Sequence, residues 1–586
     1  MTATIDQVSN KFFDYVVCGG GTAGLTLAAR LSEDPEVSVL VLEAGGANLD
    51  EPGICECTRK YLIYTSQIKQ KELGDADWFW FRGKGLGGSS GINFMCWTKP
   101  PREEIDEFEK LGNPGWNWQN YERYVAKTEG FVAPSEEVRK RNDNVNVNFD
   151  TWKIGRDGPL KLAYPGMIDG LEKKWLQSLF NAGLSKAAHP PHGVFLIPNT
   201  YDPIKHVRSY STTAFYLPNK DRPNLKVLIN AAVHRVNTRP ATNGKLTAVG
   251  VEFEYDGKVH TVNAQKDVCL AAGALKSPHI LELSGIGRKD VLGKIGVPLK
   301  LELPGVGENA QEHMFISVSW ELKQDVGFET IDLLRDATHN AKHLDLHALG
   351  EGLYTRGIIG FAFTALNDLS PLADTIYERT KAKILANKDK FPPGLMEQYN
   401  IQLDRIKRGA PGCELICYPG YMTILVAMNH CFSRGTIVVL PLDVLDPHKE
   451  PEFDPRYFEH EVDLDVFTES VKWARKLADV SPLKDIIVNE LNPGPQAKDD
   501  AQVRDWIKKC MGTTWHTAST CSMLPKEHNG VVDPELKVYG TNNIRVVDLS
   551  VARCSTVYGI AEQGADIIKG KFNPLEASMA SLKLGA

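Results

Sequence analysis

The chain has 586 residues, of which 42% are hydrophobic and 24% are charged. This composition is typical of a globular enzyme and excludes collagen-like, mucin-like and wholly disordered chains. The 67 basic and 74 acidic residues give a formal charge of −7 without a prominent Lys/Arg-rich run. We therefore expect no nucleic-acid partner and no binding to an anionic membrane surface.

The beginning of the chain predicts no export signal. Residues 1–11 are polar where a secretory signal needs an apolar core, and no run approaches the roughly 18 apolar residues of a membrane helix. The 11 cysteines are odd in number and scattered, which favours free thiols over a disulfide framework. Cys55 and Cys57 lack a second pair at zinc spacing. These features predict an intracellular, cytoplasmic protein without a metal.

The first fifty residues predict a strand, a glycine turn, a helix and a second strand. Residues 14–18 and 37–42 are short apolar runs, and residues 25–31 form an amphipathic segment between them. A glycine-rich stretch, residues 19–24, separates the first run from the amphipathic segment. This order is typical of a βαβ unit.

The glycine spacing in this unit predicts a dinucleotide site. Gly19 permits a tight turn, Gly21 lets a pyrophosphate approach the backbone, and Gly24 lets helix and strand pack closely. Glu43 ends the second strand, where an acid accepts hydrogen bonds from a ribose. The alternative is a plain glycine turn followed by a solvated Glu43.

Further elements follow from periodicity and from turn residues. The polar residues 134–158 predict a surface excursion, and Asp256 with Gly257 predicts a hairpin turn. The predicted helices cover residues 103–110, 119–127 and 375–409, the last with a break at 392–394, and the predicted strands cover 225–236, 247–262, 266–272, 435–440 and 544–547.

A second glycine-rich segment covers residues 83–97. It is too long for a turn, and it lacks the Lys-Ser/Thr ending of a nucleotide-hydrolase P-loop. Its backbone amides and small hydroxyl groups suit close packing against a large flat ligand.

Several segments together resemble the glucose–methanol–choline (GMC) family of flavin oxidoreductases. Residues 83–106 are similar to the first signature of that family, and residues 273–287 are similar to the second. Residues 303–313, where Glu312 replaces the usual Asp, also resemble the family, as do residues 433–437, 454–457 and 530–533. The resemblance runs from about residue 14 to about residue 569 and implies bound FAD.

The resemblance also implies an α/β fold with two domains. A Rossmann-like FAD-binding domain would consist of the discontinuous segments 12–150, 223–312 and 511–575. A substrate-binding domain with an antiparallel sheet, α+β in character, would consist of residues 151–222 and 313–510 and lie over the flavin.

The family pattern implies which residues hold FAD. Some relatives link FAD covalently through a histidine just before the Asn of the first signature, but Ile92 occupies that position here, so this linkage is impossible. The predicted cofactor-binding residues are Gly19, Gly21, Thr22, Ala23, Gly24, Glu43, Ala44, Leu86, Gly88, Ser89, Asn93, Cys96, Val233, Trp515, Asp548 and Leu549.

His516 lies in a segment similar to the one that carries the catalytic histidine of the family. An alcohol keeps its hydroxyl proton until a base takes it, and an imidazole suits that role near neutral pH. The resemblance therefore implies that His516 is the base and that hydride passes to flavin N5. The segment departs from the family at Thr517 and Ser519, where Pro and Gly are usual.

The loop after Asp548 departs further from the family. Relatives carry a longer, Pro-containing loop that presents a second His or Asn, whereas residues 552–556 form the whole connection here. Arg553 or Tyr558 is a candidate for this place, because a guanidinium stabilises a carboxylate or a developing alkoxide. The alternative is that Arg553 pairs with an acid at the start of the next helix.

The expected function is FAD-dependent oxidation of a CH–OH group of a small organic molecule, with oxygen or another electron acceptor. The shortened loop keeps two alternatives open: a family member with lyase, cyclase or light-driven decarboxylase chemistry, and a catalytically inactive binding protein. Residues 331–357 and 375–409 are expected to shape the substrate entrance. His339, His343 and His347 recur every four residues, which favours a packed or solvated helix face over a metal site.

Overall fold

In a computed structural model of the chain, the two largest sheets contain seven strands each. The residues described are 2–49, 62–65, 70–74, 80–141, 153–166, 168, 170–187, 192–418, 420–440, 446, 448–552 and 557–576.

The first sheet is assembled from segments that lie far apart in the chain. Phe12–Cys18 and Val39–Leu42 are largely buried and pair in parallel, as their nearly continuous apolar sequences predict. Leu225–Leu228 pairs with Val39–Leu42, also in parallel. The strand order is Leu225–Leu228, Val39–Leu42, Phe12–Cys18, Lys258–Leu270, Leu246–Tyr255 and Ala231–Pro240, with Ile544–Val546 paired to Lys258–Leu270.

Lys258–Leu270 joins the two parts of this sheet. Its first half is antiparallel to Leu246–Tyr255, and its second half is parallel to Phe12–Cys18 and Ile544–Val546. The predicted break between residues 262 and 266 is therefore wrong, because the strand changes partner there instead of ending. The hairpin turn at residues 256–257 is confirmed, with φ values of 51° and 67° that suit a type I′ turn.

The sequence pattern also merged two strands into one at residues 225–236. Leu225–Leu228 and Ala231–Pro240 are separate strands with different partners. Asn230 lies between them with a φ of 53°, a left-handed conformation that interrupts extended backbone.

The second sheet is antiparallel throughout, as expected for the substrate-binding part. Its core pairs Met314–Leu322 with Met422–Met428, and Met422–Met428 with Cys413–Tyr418. The strand order is Ile487–Asn492, Met314–Leu322, Met422–Met428, Cys413–Tyr418, Gly360–Thr364 and Gly193–Leu196, with Gly512–Thr513 paired to Met314–Leu322. The chain is thus mixed α/β, while the sequence-based domain bounds stay a prediction.

Helices cover both sheets, and the predicted helical pair at 375–409 is confirmed with its break. The α-helices are Thr22–Leu31, Arg102–Lys110, Trp118–Thr128, Glu136–Arg141, Gly170–Asn181, Gly273–Leu283, Lys289–Ile295, Ala337–Ala348, Leu366–Leu369, Ala373–Asn387, Leu395–Lys407, Glu461–Lys476, Asp500–Cys510 and Val557–Ile568. Two-stranded pairs are Leu62–Thr65 with Trp80–Gly83, Glu129–Phe131 with Leu160–Leu162, Tyr201–Asp202 with Val207–Arg208, Ile286–Gly287 with Leu301–Glu302, and Thr436–Val438 with Glu452–Asp454. Among the described residues, none of these helices has the length and apolar character needed to cross a bilayer.

The C-terminal helix packs against the first helix of the chain. Glu562 is fully buried and accepts hydrogen bonds from the Arg30 guanidinium, with Nη2 at 2.8 Å. The hydroxyl of Thr128 lies 3.3 Å from the same carboxylate. This buried ion pair fixes Thr22–Leu31, and with it the glycine turn at its N-terminus.

Candidate active site

The first glycine turn leads directly from Phe12–Cys18 into Thr22–Leu31. Gly19 has a φ of 112°, and a Cβ on Gly24 would lie 1.9 Å from the Gly19 carbonyl oxygen. Gly21 is the N-cap residue of the helix and provides no side chain to cap it. The first N–H groups, which include those of Thr22 and Ala23, are therefore available to an anion.

Glu43 binds the glycine turns through its carboxylate. Oε2 accepts the N–H of Gly20 at 2.7 Å, and Oε1 accepts those of Gly45 at 2.8 Å and Gly85 at 2.9 Å. Burial raises the pKa of Glu43, and the three N–H groups act in the opposite direction by stabilising the anion. Glu43 thus organises the backbone around the predicted ribose position, with Ala44 beside it.

The second glycine segment lies directly on the first. The Gly87 N–H donates to the Gly20 carbonyl at 2.9 Å, and a Cβ on Gly88 would lie 2.8 Å from the Gly21 Cα. Leu86 contacts Gly20 from the same side. The two glycine-rich motifs therefore form one cradle, although more than fifty residues separate them in the sequence.

Ser89 and Asn93 follow at the edge of this cradle. The Ser89 hydroxyl accepts the Gly83 N–H at 3.3 Å. Asn93 is exposed, and its Oδ1 accepts a hydrogen bond of 2.7 Å from Arg208. Cys96 is half-buried, and burial raises the pKa of its thiol. The thiol is therefore protonated and unreactive at neutral pH.

Three further predicted cofactor residues lie on the C-terminal and hairpin segments. Val233 is half-buried in Ala231–Pro240, two residues after Ala231, whose N–H donates to the Glu43 carbonyl at 2.8 Å. The Asp548 carboxylate accepts the Gly273 N–H at 2.8 Å and is also bonded by Ser277 and Ser550. Asp548 therefore caps Gly273–Leu283 with its side chain. Leu549 follows it, and the Leu549 carbonyl accepts the Ser519 N–H at 3.2 Å.

His516 lies on a loop that runs antiparallel to residues 311–313. Gln311 and Ala518 exchange backbone hydrogen bonds of 3.1 and 3.0 Å, and the Thr514 N–H donates to the His313 carbonyl. This pairing brings the two imidazoles together, with Nδ1 to Nδ1 at 3.3 Å and the ring planes 83° apart.

The environment of His516 disfavours its protonation. Although the ring is accessible on one side, the packed protein around it and the positive charge of Arg82 lower its pKa to about 4. The imidazole is consequently neutral at physiological pH, as a proton acceptor has to be.

The backbone on each side of His516 is left-handed. Trp515 has a φ of 61° and Ser519 a φ of 66°. Ser519 therefore keeps a conformation that favours the glycine usual in the family. Trp515 packs against Phe81 and Phe315, with ring centroids 5.2 and 6.4 Å away.

A buried polar cluster, which we call the Glu312 cluster, lies behind His516. It consists of Glu312, Thr517, Arg82 and Trp80. The Thr517 hydroxyl donates to Glu312 Oε2 at 2.5 Å and accepts from Trp80 Nε1 at 2.9 Å and from Arg82. The Arg82 guanidinium lies 4.0 Å from Glu312.

Arg553 and the three residues after it lie outside the described part of the chain, as do Cys55 and Cys57. The residues just before Arg553 run beside the His516 loop: the Cys521 N–H donates to the Ser550 carbonyl at 2.8 Å, and the Met523 N–H does the same to Val551. Tyr558, the other candidate for the second position, is buried against Phe215 and Trp97 and does not face an open space.

The predicted histidine stripe does not converge on a metal position. His343 is buried, and its Nδ1 accepts the Leu353 N–H at 3.2 Å, whereas His339 bonds Asp336. In the part of the chain that the structure describes, no group of three or more His, Cys, Asp or Glu side chains is arranged to hold a metal ion.

Sequence reasoning missed two neighbours of His516. His313 was visible only as the end of a motif, and Arg82 only as the residue before a glycine. His313 ends a family-like segment and Arg82 lies just before another, but nothing in the sequence placed either beside a loop 200 or more residues away.

Comparison with known proteins identifies the family. The model for the N-terminal part of the GMC oxidoreductases matches residues 13–315, and the model for their C-terminal part matches residues 432–557. The chain belongs to the GMC oxidoreductase family.

Curated relatives align over nearly the full length. The GMC oxidoreductase family protein Mala s 12 of Malassezia sympodialis is 31% identical, over 96% of this chain and 93% of its own. A glucose oxidase of Penicillium chrysogenum is 32% identical, over 93% of this chain and 89% of its own.

Solved GMC-type structures share the fold. An FAD-dependent oxidoreductase from Chaetomium thermophilum superposes with a TM-score of 0.89 at 28% identity, covering 95% of this chain and 99% of that chain. A fungal aryl-alcohol oxidase has a TM-score of 0.86 at 26% identity, with the same coverage. The protein is accordingly an FAD-dependent oxidoreductase. The glycine cradle fits this cofactor, since its uncapped helix N-terminus suits a pyrophosphate and a Cβ on Gly19, Gly20 or Gly88 would lie within 3.0 Å of other protein atoms.

Glu43→Gln tests the role of Glu43 in the GMC cofactor site. We expect FAD to bind about tenfold more weakly or worse, because an amide NH₂ replaces one acceptor oxygen and leaves a glycine N–H unpaired. Titration of the apoprotein with FAD, followed by flavin fluorescence, measures this. Glu36→Gln, at an exposed site, is the matched control. Equal FAD affinity in the two variants would show that Glu43 does not organise the site.

Proposed function

We propose that this GMC oxidoreductase oxidises the CH–OH group of a small organic substrate, with His516 as the base that takes the hydroxyl proton. FAD, when bound, supplies the acceptor for the hydride, and oxygen or another acceptor then reoxidises it. The observation that carries the proposal is the accessible imidazole of His516, whose Nδ1 lies 3.3 Å from Nδ1 of His313.

The contact with His313 supports one tautomer of the base. A neutral imidazole has one N–H and one lone pair. If Nδ1–H of His516 donates to Nδ1 of His313, the lone pair of His516 lies on Nε2. Nε2 is then the atom that accepts the substrate proton, and His313 stabilises the imidazolium that results.

Aromatic side chains support a substrate with an apolar, planar framework. Phe81 and Trp515 pack together beside His516, and Phe315 extends this wall onto the antiparallel sheet. Phe94, at the end of the second glycine segment, is 52% exposed. Such surfaces bind unsaturated carbon frameworks well, and one structural relative is an aryl-alcohol oxidase.

His516→Ala tests the base. We expect the variant to keep FAD and to reduce it with substrate about a hundredfold more slowly or worse, the usual scale for a general base. Anaerobic stopped-flow bleaching of the flavin, in a screen of aryl and aliphatic alcohols, measures the rate. Unchanged bleaching would exclude His516 as the base. Turnover by the parent protein without bleaching, or only in light, would instead support the lyase, cyclase or photochemical alternative.

The lowered pKa of His516 gives a separate pH test. A histidine with an ordinary pKa is about nine-tenths protonated at about pH 5.5, whereas the pKa of about 4 keeps His516 neutral there. We expect the rate constant for flavin reduction at saturating substrate to agree within about twofold between about pH 7.5 and about pH 5.5. A tenfold fall in protein that retains its FAD and its Tm would contradict this.

Arg553 is proposed as the second polar group, because the backbone leading to it runs beside the His516 loop. Its permanent charge would stabilise an alkoxide as the proton leaves, or bind a substrate carboxylate. We expect flavin reduction to fall in the order parent, Arg553→Lys, Arg553→Met, since lysine keeps the charge but loses the planar fork. FAD content and Tm should barely change. A loss of Tm with intact reduction per bound flavin would make the arginine structural.

A further inference from the structure

We propose that Glu312, Thr517 and Arg82 are positioning residues that fix the place of the His516 imidazole. This inference rests on the proposed role of His516 as the base. The three residues act through the two histidines and not on the substrate itself.

Glu312 holds both histidines by their backbones. Oε1 accepts the N–H of His516 at 2.6 Å and the N–H of His313 at 3.1 Å. Because a single oxygen binds both N–H groups, the distance between the two imidazoles depends on where this carboxylate lies. Glu312 is only 6% exposed, so water does not replace it.

Thr517 holds Glu312 in turn. A hydroxyl has one donor and two acceptor positions, and all three are used here, toward Glu312, Trp80 and Arg82. Thr517 is the residue immediately after His516, and it stands where Pro is usual in the family. A proline has no hydroxyl and could not make these three hydrogen bonds. The loop of this chain is therefore held in place by the Thr517 side chain, which the sequence did not reveal.

Arg82 completes the cluster electrostatically. Burial raises the pKa of Glu312, and the nearby Arg82 charge is the main influence that lowers it again, which favours the ionised carboxylate that the two N–H groups require. The same guanidinium disfavours a second positive charge on His516. Three other titratable groups lie around this cluster: His313, Tyr457, which stacks on Trp80 at 6.1 Å, and Cys431, whose thiol donates to the Glu312 carbonyl oxygen at 3.1 Å.

The first experiment replaces Thr517 with valine, which has nearly the same shape as threonine but lacks the hydroxyl. Thr517→Val should reduce flavin at saturating substrate about tenfold more slowly or worse, because small displacements of a catalytic group are costly, while Thr517→Ser should stay close to the parent. The matched control is Thr520→Val, which removes an equally buried hydroxyl of the same loop that bonds only the Ala274 carbonyl.

The second experiment does not depend on activity. In protein labelled with ¹⁵N-histidine, the His516 signals are assigned by their loss in His516→Asn and followed against pH. Arg82→Met keeps the bulk and removes the charge, so we expect His516 to become protonated at a higher pH than in the parent. This readout also covers the case in which Thr517→Val does not fold.

These measurements separate the two proposals. If His516→Ala reduces flavin normally, the proposed base is wrong, but the titration of His516 still reports whether Arg82 acts on it. If Thr517→Val reduces flavin as fast as Thr520→Val, or if Arg82→Met leaves the titration of His516 unchanged, the positioning role is overturned, whatever the Tm of the variants.

Discussion

Three glycine N–H groups, from Gly20, Gly45 and Gly85, converge on the carboxylate of Glu43. A buried carboxylate is costly unless it is paired, and charge-assisted bonds to backbone N–H groups provide that compensation. The backbone can approach so closely only because it carries no side chains there, as the 2.4 Å between a Cβ on Gly45 and the Gly85 nitrogen indicates. The Glu43 carboxylate therefore fixes the relative positions of three elements: the strand Val39–Leu42, the first glycine turn and the second glycine-rich segment.

A second buried carboxylate has the same part beside His516. Glu312 accepts the backbone N–H groups of His516 and His313, as Glu43 accepts those of three glycines. One carboxylate arranges main chain for a cofactor, and the other arranges main chain that carries two imidazoles. In both cases the acid accepts hydrogen bonds from backbone N–H groups and so holds the main chain in place.

Local signals made much of the cofactor half predictable. The glycine spacing, the apolar runs and Glu43 all lie within the first fifty residues, so propensity and periodicity suffice there. The contact of His313 with His516 spans 203 residues, and no periodicity reports such a distance. Likewise, the alternation of apolar and polar residues along Lys258–Leu270 does not show where this strand changes its partner. Thr517 and Ser519 were visible as departures, but only the φ of 66° at Ser519 and the bonds of Thr517 explain how the loop accommodates them.

The strand Ile544–Val546 has a consequence for how the chain folds during synthesis. It pairs with residues 268–270 in the first sheet, and the following helix is bound to the first helix by the Arg30–Glu562 contact, which spans 532 residues. Contacts of such sequence separation form slowly because a long loop has to close first. Until Ile544–Val546 emerges from the ribosome, residues 268–270 lack this partner strand, and unpaired strand edges invite association with other chains. The first sheet, which begins with Phe12–Cys18, is therefore completed only after residues 544–546 have been synthesised.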